Sequence, residues 1–108
     1  MAENEEHRES ENGQALEAFI DHLWIEYGLS KNTLNAYRAD LVQLDVWLSH
    51  SNSHLLKAQR HDLLGFLSHK VSKGIKASSA ARLLSSIRRF YRFQVRIHRL
   101  KIDPSAEI

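Results

Sequence analysis

The chain has no cysteine, a single proline and only four glycines in its 108 residues. Without cysteine there is no disulfide framework, no thiolate nucleophile and no Cys-ligated zinc or iron–sulfur centre. The lack of thiols fits a reducing, cytoplasmic setting. So few turn-forming residues argue against an all-β fold, whose hairpins need more glycine and proline. No apolar run approaches the ~18–20 residues a membrane helix requires, so no membrane association is expected. The opening stretch MAENEEHRESENG is acidic and polar, which excludes a secretory signal. The remaining composition, 43% apolar and 26% charged, is that of an ordinary soluble domain with one core.

Charge is scarce in sum but sharply divided along the chain. Net charge is +2, yet residues 1–13 carry −4 and residues 14–108 carry +6. Between residues 63 and 102 there are ten lysines and arginines and no acidic side chain. A one-sign field of this kind attracts a polyanion, of which nucleic acid is the commonest. The acidic head is too polar to pack, and the spacing predicts a disordered tail over 1–13 ahead of a domain over 14–108.

Apolar periodicity predicts four helices. Over 14–27, Leu16, Phe19, Ile20, Leu23, Trp24 and Tyr27 fall on one stripe, with Gly28 as a stop. Ser30 is a suitable cap for a second helix over 31–49, whose stripe is Leu34, Tyr37, Leu41, Leu44 and Leu48. Residues 50–59 read as a loop in which Leu55 and Leu56 tuck inward. A third helix over 60–73 buries Leu63, Leu64, Leu67 and Val71 and ends at Gly74. Ser78 or Ser79 caps a fourth over 79–98, with Ala80, Leu83, Leu84, Ile87, Phe90, Tyr91 and Gln94 inside. Asp103-Pro104 prevents its continuation. Ile25 lies off its stripe and marks a possible subunit contact. The fold class is all-α, a four-helix domain.

Polar faces follow from the same phase. At about 100° per residue, Arg82, Ser85, Arg89, Arg92 and Arg96 lie within about 80° of one another, opposite the buried stripe. Arg88 flanks them. Such a stripe suits phosphate clamping and guanine-edge readout in a major groove. The second helix opens with Lys31, Asn32, Thr33, Asn35 and Arg38 beside its donor-rich N-terminus. Ser78 and Ser79 add hydroxyls at the start of the fourth helix. A protein–protein module with a basic docking face is the alternative use of such a surface.

Catalytic patterns are weak. His50/His54 and His61/His69 could each share a face, but no acidic residue joins them at metal-ligand spacing and no HExxH is present. The three tyrosines, Tyr27, Tyr37 and Tyr91, lie on buried stripes and read as core. Isolated glycines make no phosphate-cradling loop. No cofactor, metal or catalytic residue is expected in this chain.

The stretch GLSKNTLNAYRADL (28–41) followed by WL (47–48) resembles the second-helix signature of the N-terminal core-binding, SAM-like domain of tyrosine recombinases. The stretch GIKASSAARLLSSIRRFYRF (74–93) and the ending DPSAEI (103–108) resemble the same family, within it one of the recombinases that resolve chromosome dimers. The resemblance implies a domain whose second and fourth helices face the DNA major groove. It further implies that the attacking tyrosine and its cationic partners lie in a catalytic domain absent from this chain. The partners it implies are double-stranded DNA with a dif-type core site, a XerC-like recombinase, and an FtsK-type translocase acting through the missing domain.

Overall fold

The computed structural model describes the backbone from Ala2 and the side chains from residue 11 onward. Four helices follow in order: α1 (Ala2–Tyr27), α2 (Lys31–Ser49), α3 (Arg60–Ser72) and α4 (Ala77–Arg96). A single 3-10 turn, Leu55–Lys57, interrupts the connection between α2 and α3. The described residues include no strand.

Packing of α1, α2 and α4 against one another makes the core. Phe19, Ile20 and Leu23 of α1 meet Leu41, Leu44 and Leu48 of α2 and Leu83, Ile87, Phe90 and Tyr91 of α4, all buried. Phe19 and Phe90 meet edge to face at 5.5 Å, an arrangement favoured by the aromatic quadrupole. The third helix leans chiefly on α2, with Trp47 and Phe66 in ring contact (centroids 5.7 Å apart). Gly65 permits that contact, since a Cβ there would stand 3.0 Å from the Trp47 ring.

Turn chemistry sets the helix ends. Gly28 and Gly74 take positive φ of 58° and 81°, the left-handed conformation that stops α1 and α3. Ser30 caps α2, its Oγ accepting from the Thr33 amide at 3.2 Å. The connection after α2 is pinned from three sides. Asp45 accepts from the Leu55 amide at 3.0 Å, the Tyr91 hydroxyl donates to the Leu55 carbonyl at 2.7 Å, and His54 Nδ1 donates to Asn12 Oδ1 at 3.0 Å. Beyond α4, Asp103 turns the chain by accepting from the amide and hydroxyl of Ser105, which is buried.

Several expectations from periodicity need correction. Trp24 and Tyr27 are 58% and 59% exposed, because α1 runs past the end of the core in its last turn. In α3 the buried residues are Leu63 and Phe66, while Leu64 and Val71 face outward and Leu67 is half-buried. With α2 as its main neighbour, α3 has room for a narrow stripe, which Leu63 takes together with Phe66 against Trp47. Ser78 and Ser79 cap nothing: α4 starts at Ala77, its cap position is Lys76, and both serines are helical. The helix also ends at Arg96 and not 98, since His98 adopts φ 63°. The expected tail over 1–13 falls mostly on side chains outside the described residues. At 11–13 the backbone belongs to α1, and Asn12 is buried.

Candidate nucleic-acid interface

Polar contacts between α2 and α4 fix their register. The Tyr37 hydroxyl lies 3.4 Å from Ser85 Oγ, and Arg82 grips Asp40 with Nε and Nη2 at 2.9 and 2.8 Å. These links run in opposite senses along the two helices. The start of α2 therefore lies toward Arg89 and Arg92, and Ser78 and Ser79 sit at the far end of the face. Lys31, Asn32 and Thr33 open α2 at the Arg89 end, Asn35 is bonded to Arg38, which is tied to α1, and the two serines open α4 at the opposite end.

Individual arginines differ in what holds them. Arg82 is paired to a carboxylate that is only 4% exposed, which raises its pKa by hydrogen bonding and charge. Ser86 Oγ lies 3.3 Å from the same carboxylate. Arg38 is fixed to α1, with Nη2 and Nε on the two oxygens of Glu17 at 2.9 and 3.0 Å and Nη1 on Asn35 Oδ1 at 3.1 Å. Arg89 lies over two aromatic faces, 5.7 Å from the Tyr27 ring and 5.9 Å from the Tyr37 ring. Such stacking orients a guanidinium without using its hydrogen-bond donors. Arg96 donates to His22 Nε2 at 2.8 Å. Arg92 is exposed and Arg88 half-buried, and both line a shallow cleft with Ser85 and Ala81.

The surface is thus cationic, with its two carboxylate-bound arginines, Arg38 and Arg82, at its flanks and donor-rich arginines between. It can take a polyanion along α4 and present amide and guanidinium groups to whatever that polyanion exposes.

The family model for the phage integrase N-terminal SAM-like domain matches residues 16–98. The chain belongs to that family. Among its relatives, the tyrosine recombinase XerD of Yersinia pestis is 46% identical over 91 residues, covering 84% of this chain and 30% of the relative. XerD of Proteus mirabilis is 43% identical over 101 residues, covering 94% and 32%. XerD of Haemophilus influenzae is 41% identical over 91 residues, covering 84% and 31%. The chain spans about a third of the length of these relatives.

Every candidate residue of this SAM-like domain, from Lys31 to Arg96, lies inside the matched span. Sequence reasoning missed the side chains that position them: Glu17, Asp40, His22 and Tyr27. Only Asp40 left a usable signal, since a carboxylate on the flank of the Leu34–Leu48 stripe must find a cation once buried.

Proposed function

We propose that this SAM-like domain binds double-stranded DNA as the N-terminal part of a XerD-like site-specific tyrosine recombinase. The arginine stripe of α4, standing beside the polar start of α2, carries the reading. α4 enters the major groove, with Arg89 and Arg92 directed at base edges and phosphates. Arg88, Arg96 and Lys31 clamp the backbone, and Asn32, Thr33, Asn35 and Ser85 add polar contacts. Arg82 and Arg38 reach the duplex at the edges of the face, while Ser78 and Ser79 meet it at the far end of α4.

The parent enzyme breaks and rejoins DNA with a catalytic domain outside this chain. It acts with a XerC-like partner at a dif-type site to resolve chromosome dimers, in the cytoplasm. An FtsK-type translocase engages it through the catalytic domain. No cofactor enters the role of this part. The similarity to XerD proteins supports the recombinase reading, and the charge of α4 supports DNA as the ligand.

A footprint of the chain on a dif-type duplex tests the proposal. Protection of one face of the major groove over the core site, lost on a scrambled duplex, is the expected result. Equal weak protection of every sequence would leave only a non-specific basic surface. No protection, together with capture by an acidic protein, would favour a docking module.

A further inference from the structure

A second concavity lies between α1 and α4, beside the α2–α4 face. It encloses about 270 Å³ over an apolar floor of Phe19, Leu23 and Phe93. Its rim carries Arg89, Arg92 and Arg96 from α4 with His22 and Tyr27 from α1, and no carboxylate lines it. Three guanidiniums over an apolar floor make a receptor for an anion.

His22 sets how that receptor behaves. Its ring stacks on Phe93, centroids 4.6 Å apart and planes within 23° of parallel, and meets Tyr27 edge-on at 5.8 Å. Arg96 Nη2 donates to its Nε2 at 2.8 Å. A guanidinium only donates, so the ring must offer a lone pair at Nε2 and stand neutral. Burial and then the Arg96 charge lower its pKa from the usual value, and Glu26 acts the other way. The groups facing it are Arg89, Arg92 and Arg96 on α4 and Glu26 and Tyr27 on α1; no other element lines the cleft.

We propose that the α1–α4 cleft is a seat for a DNA backbone phosphate, in which neutral His22 holds Arg96 while the seat is empty and takes up a proton as the phosphate enters. This rests on the DNA-binding reading and extends it to α1, which that reading does not use. An entering phosphate competes for the Arg96 Nη2 proton and frees His22 Nε2. Its negative charge then favours the imidazolium, which becomes a further donor to the anion. Proton uptake on binding means that affinity rises as pH falls. The rise is confined to the window between the bound and free pKa values of His22, and affinity is flat above and below it.

The test is the affinity of the chain for a duplex at constant salt, in a buffer without phosphate, from about pH 8 to about pH 5.5. Wild type is compared with His22→Gln, which accepts from Arg96 but takes up no proton. Wild type is expected to tighten by about three- to tenfold more than the variant across that range. The His22 ring resonances of the wild type should titrate at higher pH with duplex bound than without. A control with inorganic phosphate alone shows whether the seat takes the free anion; a matching shift at low millimolar phosphate would overturn the assignment to the DNA backbone. Binding at about pH 8 with equal pH dependence in both proteins, or an unmoved His22 titration, overturns the seat and leaves the DNA reading standing. Absence of duplex binding at every pH overturns both.

Discussion

At the residue scale, arginines that share a stripe in the sequence separate into kinds once their partners are known. Arg82 and Arg89 look equivalent by helical phase. One is bonded to Asp40 and the other is stacked between Tyr27 and Tyr37. Arg82→Ala should therefore lower stability by about 1–3 kcal/mol, because it strands a desolvated carboxylate that water reaches only through the exposed side of the pair. Its effect on DNA binding should track that loss and be restored in part by Asp40→Asn. Arg89→Ala should leave the unfolding midpoint nearly unchanged and weaken specific binding by about 1–3 kcal/mol, as loss of a bidentate contact does. Denaturant unfolding and competition binding on the same variants separate the two. If Arg82→Ala binds more weakly with stability unaltered, the Asp40 bridge does not hold it. The candidate stripe was legible from a wheel because it needs only spacing. The pairings were not, because Glu17, Asp40 and His22 reach α4 or its neighbours across distances in sequence that no local pattern encodes.

At the element scale, periodicity located all four helices and located the core best where a helix is enclosed on several sides. The α2 and α4 stripes were read nearly residue for residue, since α2 packs against the other three helices and α4 against α1 and α2, and a wide apolar face is required. α3 packs mainly on α2, so its inner face is narrow, held by Leu63 and by the Phe66 ring against Trp47, which leucines at neighbouring positions mask. The end of α1 misled for a related reason: Trp24 and Tyr27 continue the apolar spacing beyond the core they were expected to join. Phe90→Ala should cost about 2–5 kcal/mol, whereas Trp24→Ala should change stability by less than about 0.5 kcal/mol. The exit of α4 offers a change in the other direction. His98 holds a left-handed φ of 63° while the Arg99 amide closes on the Gln94 carbonyl at 2.9 Å. His98→Gly removes the Cβ strain at that cap and should raise stability by about 0.5–1 kcal/mol in thermal or denaturant unfolding. A loss of stability instead would mean that the helix does not end in this turn.

At the scale of the whole molecule, the distribution of cations matters more than their number. Arg38 and Arg82 are already neutralised by carboxylates, so they release few counterions when a duplex arrives. Lys31, Arg88, Arg89, Arg92 and Arg96 remain to meet phosphates on the α2–α4 face and at the adjoining α1–α4 cleft. About five such contacts predict that log affinity falls against log salt with a slope near −4.5. Arg96→Ala should flatten that slope by about one unit and weaken specific and scrambled duplexes alike, since it removes a phosphate contact and no base contact. Lys57 and Lys101, which lie off the face, are the controls and should leave slope and affinity unchanged. Titrations at several salt concentrations with wild type, Arg96→Ala and the two lysine variants decide between a defined face and a diffuse field. A slope reduced equally by Lys57→Ala and Arg96→Ala would mean that the duplex senses only the overall positive charge of residues 14–108, and the oriented placement of α4 in a groove would have to be given up.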